Sequence, residues 1–113
     1  MNNEEKAQKT YYKAYNGVNV KENEQIVLKN KAPHWSYNFA KDIIKADIKA
    51  HEQVILELKD PQYSFYFARD VPGANIEKHF KIIFNFKNKH WLDYFVKFVN
   101  YKNTKVEEWL LYI

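Results

Sequence analysis

Residues 39–50 of the chain, FAKDIIKADIKA, return 28 positions later as FARDVPGANIEK at residues 67–78. Phe, Ala, Asp, Ala and Ile recur identically, and the exchanges include Lys for Arg, Ile for Val and Asp for Asn. The same offset carries Val20-Lys21 and Glu24 to Leu28 onto Ile48-Lys49 and Glu52 to Leu56. It also sets Pro33 over Pro61, and Phe67 and Val71 over Phe95 and Val99. The units run about 8–35, 36–63, 64–91 and 92–113, the last without a trailing linker. A fixed period of this length constrains the fold more than any local propensity. Each unit must be one small structural element that buries its apolar face only against its neighbours.

Every unit holds two apolar patterns. Trp35, Phe39 and Ile43 recur as Tyr63, Phe67 and Val71 and as Trp91, Phe95 and Val99, with Ala40, Ala68 and Val96 one residue further on. A spacing of four, twice over, marks one face of an α-helix. Tyr11 and Tyr15 take the same stripe in the first unit. The second pattern joins Val20, Ile48 and Ile76 to the pairs Ile26-Val27, Val54-Ile55, Ile82-Ile83 and Leu110-Leu111. Between the patterns stands one short polar residue per unit, Asn19, Asp47, Asn75 and Asn103. Such residues cap helix N-termini, their side chains accepting from an orphan backbone N–H. Thr104 with Glu107 offers a competing capping box in the last unit. Asp60-Pro61 reads as a cap followed by Pro at the first helical position. Gly17 and Gly73 end first helices, where a positive φ is convenient.

Helices of about 10–13 residues are not stable alone, so the pairs must stack. The sequence therefore predicts one all-α domain over 1–113, a short right-handed α-solenoid of four stacked helix-turn-helix repeats with period 28. Second helices should begin near residues 20, 48, 76 and 104–105, and no β-strand should occur.

Composition narrows the function. With no cysteine, the chain can build neither a disulfide framework, nor a thiolate zinc site, nor a cysteine nucleophile. The opening MNNEEKAQKTYY has no apolar h-region, and no stretch approaches the roughly 18 apolar residues of a membrane span. A cytoplasmic protein without a membrane partner is the expectation. The formal charge of +4 would draw it to polyanions. Yet only one of the 18 basic residues is Arg, the better reader of phosphate. Abundant Lys, Asn, Ile, Tyr and Phe match the codon bias of an AT-rich genome, that of a low-GC bacterium or its phage.

Phe67, Ala68, Val71, Gly73, Ala74 and Ile76 complete the pattern F-A-x-x-V-x-G-A-x-I in the third unit. In this the chain resembles the short α-helical tandem-repeat proteins of low-GC bacteria and phages, which are HEAT-like α-solenoids, over nearly its whole length. The resemblance implies a binding scaffold and no particular activity.

Residues that could carry chemistry recur in the register of the repeat. His51 and His79 hold equivalent positions about 10 Å apart at helix-packing distance, too far to share a metal, and read as surface or boundary histidines. His34 and His90 precede Trp35 and Trp91 at first-helix starts. Asp42 and Asp70 recur, as do Glu24 and Glu52, and recurrence marks structural positions whereas catalytic groups occur once. No H-E-x-x-H, G-x-S-x-G or Gly-rich phosphate loop is present. No enzymatic activity, metal or cofactor is expected.

Lys13, Lys41, Arg69 and Lys97 form a basic column near the ends of the first helices, where cations suit the helix C-terminus. Aromatics beyond the core stripes, Tyr37, Phe65, Tyr66, Tyr94, Phe98 and Tyr101, fall on positions that should face away from it. Aromatic residues are enriched at interface cores. The expected partner site is Tyr37, Phe65, Tyr66 and Tyr94, with Lys41, Arg69 and Lys97 as its rim. The apolar ending Trp109-Leu110-Leu111-Tyr112-Ile113 should fold inward or join a second copy in a homodimer. The function expected is a non-catalytic protein-binding module, such as a small phage or mobile-element inhibitor of a host defence protein. The alternative is a helical repeat that binds nucleic acid on its basic face.

Overall fold

The computed structural model describes residues 2–99, and seven α-helices run through them. They are α1 Asn3–Tyr15, α2 Val20–Asn30, α3 Pro33–Asp42, α4 Ile48–Leu58, α5 Pro61–Asp70, α6 Ile76–Asn85 and α7 Lys89–Phe98. The described residues contain no β-strand. α2, α4 and α6 begin at Val20, Ile48 and Ile76, where second helices are expected. The expected start at 104–105, the caps at Asn103 and Thr104, Tyr101 and the apolar ending lie outside the described residues.

The odd-numbered helices form one row, α1 against α3, α3 against α5 and α5 against α7. Each even-numbered helix lies on the odd-numbered helix before it, and α2, α4 and α6 make a second, looser row. Between the rows Phe39, Phe67 and Phe95 are fully buried, as are Val27, Ile55 and Ile83, the second residue of each apolar pair. Tyr15 departs from its expected place in the core. The buried stripe of α1 runs through Ala7, Tyr11 and Ala14, steps of four and three that follow the 3.6-residue turn, and leaves Tyr15 61% exposed.

Local chemistry sets most of the helix ends. The carboxylate of Asp47 accepts from Ala50 N and the amide oxygen of Asn75 from Lys78 N, both at 3.2 Å. Asp60 accepts from Tyr63 N ahead of Pro61, and Asn88 accepts from His90 N. Gly73 follows Pro72 at φ +83°, the left-handed conformation that a Cβ disfavours. Lys31, Lys59 and Lys87 also adopt positive φ, 28 residues apart, at the ends of the second helices. Asn19 does not cap as expected. Its backbone is left-handed, at φ 43° and ψ 54°, and its side chain makes no cap hydrogen bond.

The reason lies in a contact that joins one unit to the next. Glu24 Oε2 accepts from Asp47 N at 2.7 Å and lies 3.0 Å from His51 Nε2. One unit on, Glu52 Oε2 accepts from Asn75 N at 2.7 Å and lies 2.8 Å from His79 Nε2. Each carboxylate thereby fixes the backbone at the cap of the following second helix, and no described carboxylate does this for Asn19. His51 and His79 are completely buried, contrary to the surface or boundary position expected for them, because they close this latch beneath Phe39 and Phe67.

The latch works with neutral histidine. Burial lowers the pKa of both imidazoles against the upward pull of Glu24 and Asp47 on His51 and of Glu52 on His79. Nδ1 of each ring has no partner, so a second proton would leave a buried N–H unsatisfied. Stability must therefore depend on pH in a definite direction. Below an unfolded histidine pKa of about 6.5 the unfolded chain binds protons that the folded chain excludes, and stability falls as pH falls. Thermal melting followed from about pH 7.5 to 5.5 should show this decline. The double variant His51→Gln/His79→Gln, which keeps a donor near each carboxylate but cannot titrate, should flatten it. An undiminished slope in that variant would assign the acid sensitivity to other groups.

Candidate functional site

The odd-numbered row buries more of its aromatic residues than their positions in the sequence suggest. Tyr37 and Phe65, expected on an open face, are only 7% and 2% exposed. A first helix in this row is covered by its own second helix and also by the neighbouring first helices, and these two rings fill the latter junctions. Tyr37, from α3, meets Tyr63 and Tyr66 of α5; Phe65, from α5, meets Trp91, Tyr94 and Phe98 of α7. The expected band is therefore divided. Tyr37 and Lys41 belong to the α3/α5 junction, while Phe65, Tyr66, Arg69 and Tyr94 come together at α5/α7.

At α5/α7 these four residues, with Trp91 and Phe98, line a groove of about 200 Å3. Phe98 is 51% and Tyr94 39% exposed. Their rings are 5.7 Å apart, and Tyr94 lies 6.1 Å from Trp91. The Arg69 guanidinium lies over two rings at once, 5.1 Å from the centre of Phe65 and 5.0 Å from that of Tyr66. Its Nε and Nη2 donate to Asp70 at 2.7 and 2.8 Å. The hydrogen bond to Asp70 raises the pKa of Arg69, and the same guanidinium is the main cause that lowers the pKa of Asp70. Lys97 completes the rim, its ammonium 5.5 Å from the centre of the Phe98 ring.

The repeat shows what is particular about this groove. One unit earlier its six lining positions are Tyr37, Asn38, Lys41, Tyr63, Tyr66 and Asp70. There the Tyr37 hydroxyl donates to the Asp70 carboxylate across the junction. Burial, then this bond, push the tyrosine pKa up, which keeps the hydroxyl protonated as the donor. At α5/α7 Tyr37 is replaced by Phe65 and Asp70 by Phe98, so a buried polar pair becomes a pair of rings 6.4 Å apart. Asn38 is replaced by Tyr66. Three polar or polar-tipped positions thus turn more apolar at one junction, where the Phe98 ring lies half in solvent.

Phe98 and Trp91 were not among the expected site residues. The signal for Phe98 was present as an interruption of the Asp42, Asp70 column. Another cavity, about 460 Å3 between α4 and α6, is polar apart from Leu56 and Gly73 and has the Glu52 latch in its wall. Among the described residues no three His, Asp or Glu side chains are grouped to hold a metal ion, and no helix is long and apolar enough to cross a membrane. Comparisons with protein-family models, with curated proteins and with solved structures give no match to this chain.

Proposed function

We propose that the chain is a non-catalytic protein-binding module, a short HEAT-like α-solenoid that offers the α5/α7 groove to a partner. The observation that carries this reading is the local departure from the repeat. At α1/α3 and at α3/α5 a tyrosine hydroxyl reaches the aspartate that ends the next first helix, Tyr11 to Asp42 and Tyr37 to Asp70, whereas α5/α7 has Phe98 in place of that aspartate. With Phe65 and Phe98 in place of the pair, the Phe98 ring stands half in solvent, which gains nothing for the fold alone, whereas aromatic residues and Arg at a concave site are what binding hot spots use.

Protein is favoured over nucleic acid by the charges around the basic column. A polyanion running along it would meet Asp42 beside Lys41, at 3.9 Å, and Asp70 beside Arg69. Counterion release would then contribute little, since it depends on cations free to take phosphates. A partner selected from a display library of folded domains or peptides tests the assignment. Tyr94→Ser with Phe98→Ser should weaken binding at least about 100-fold, within the range of paired hot-spot losses, while helicity stays unchanged. Binding that survives the double substitution but collapses between roughly 50 and 200 mM salt would move nucleic-acid-like, electrostatic recognition ahead.

A further inference from the structure

We infer that the occupant of the α5/α7 groove is an acidic peptide segment, one bulky apolar side chain seated among the rings with an Asp or Glu carboxylate close beside it on Lys97. This rests on the protein-binding reading above and adds the chemistry of the partner. In α3 and α5 the cation of the basic column is followed directly by its own carboxylate, Lys41 by Asp42 and Arg69 by Asp70. In α7 the residue after Lys97 is Phe98, and among the described residues no carboxylate pairs with that ammonium. The substitution that opens the apolar groove therefore also removes the counter-charge of the cation at its rim. Both changes come from the same residue and point to the same ligand.

Arg69 excludes the opposite choice. Ring-lined sites can capture cations, but the guanidinium already lies over Phe65 and Tyr66 and would repel a second positive charge. Asp70 is occupied by Arg69 and Tyr37, and on α7 it is the Lys97 ammonium, beside the lining rather than part of it, that lies over a groove ring, 5.5 Å from the centre of Phe98. The cavity, about 200 Å3, is smaller than the roughly 300–1,000 Å3 of sites for whole small molecules, and so suits a single large side chain.

A random-peptide display library of balanced charge, selected on the full chain and counter-screened on Tyr94→Ser/Phe98→Ser, tests this. Groove-dependent peptides should combine an aromatic residue, Leu or Met with Asp or Glu within about one helical turn. Lys97→Glu, an exposed substitution, should weaken them at least about tenfold, the scale of a close charge pair. Groove-dependent peptides with neutral or basic flanks, or ones indifferent to Lys97→Glu, would overturn the acidic assignment and leave the protein-binding reading standing. Recovery of no groove-dependent peptide would overturn both. A single-stranded oligodeoxythymidine bound through Tyr94 and Phe98 would replace the peptide with nucleic acid.

Discussion

Phe67→Ala is expected to cost about 3–5 kcal/mol of unfolding free energy, the usual range for truncating a buried phenylalanine. Phe67 is fully buried in the central first helix, in a cluster with Tyr37, Ala40, Ile55 and Val71. Its ring also lies 5.3 Å from His79, so its loss would open space beside the inter-unit latch. Total stabilities of single domains are about 5–15 kcal/mol, so the variant should sit near the edge of folding. Ile44→Ala provides the contrast, because Ile44 is completely exposed and its truncation should change stability by less than about 0.5 kcal/mol. Urea unfolding of the three proteins gives the comparison. Equal midpoints for Phe67→Ala and Ile44→Ala would mean that the rows of helices do not meet where described.

Glu52→Ala should cost about 2–5 kcal/mol, although it removes a residue type normally found at surfaces. One oxygen of this buried carboxylate serves both Asn75 N and His79 Nε2. Its removal leaves two donors without their acceptor, each costing about 1–3 kcal/mol when no water replaces it. Glu57 makes an exposed 3.7 Å pair with Lys31 and accepts an exposed 3.2 Å hydrogen bond from Gln53, and Glu57→Ala should cost about 1 kcal/mol or less. The ratio of the two losses, read by denaturant unfolding, distinguishes a latch between units from ordinary surface charge. Similar losses would remove the latch from the account.

The sequence was informative about elements and uneven about faces. The helices could be placed because a 28-residue period sums many weak local signals, among them Asp47, Asn75 and Asp60-Pro61 at helix starts. Burial of Tyr37 and Phe65 could not be read from one stripe, since a helix stacked in a row is covered on several sides. Tyr66, which the stripe alone places outside the core, is half-buried against two hydrophobic clusters for the same reason. The latch was hidden differently. Glu24 and His51 recur visibly as Glu52 and His79, yet each pair is separated by 27 residues and joins only when the units stack. Charged and titratable residues are ordinarily expected at surfaces, and only the structure shows one satisfying the other. At the groove, the visible departure was Phe98 in the column of Asp42 and Asp70. Its meaning depended on knowing that Asp70 bonds Tyr37 across the junction.

If binding follows from the absence of a tyrosine–aspartate pair at α5/α7, installing that pair should remove it. The double variant Phe65→Tyr/Phe98→Asp would give α5/α7 the residues that Tyr37 and Asp70 hold at α3/α5, with Lys97 beside the new carboxylate as Arg69 is beside Asp70. The decisive measurement is affinity for a groove-selected peptide, taken with the melting temperature of the same sample. The expected result is a melting temperature within a few degrees of the parent, equivalent to about 1 kcal/mol or less, and affinity reduced at least about 100-fold. Undiminished affinity in a folded variant would contradict the claim, since the groove's rings would then be packing residues and the binding surface would lie elsewhere.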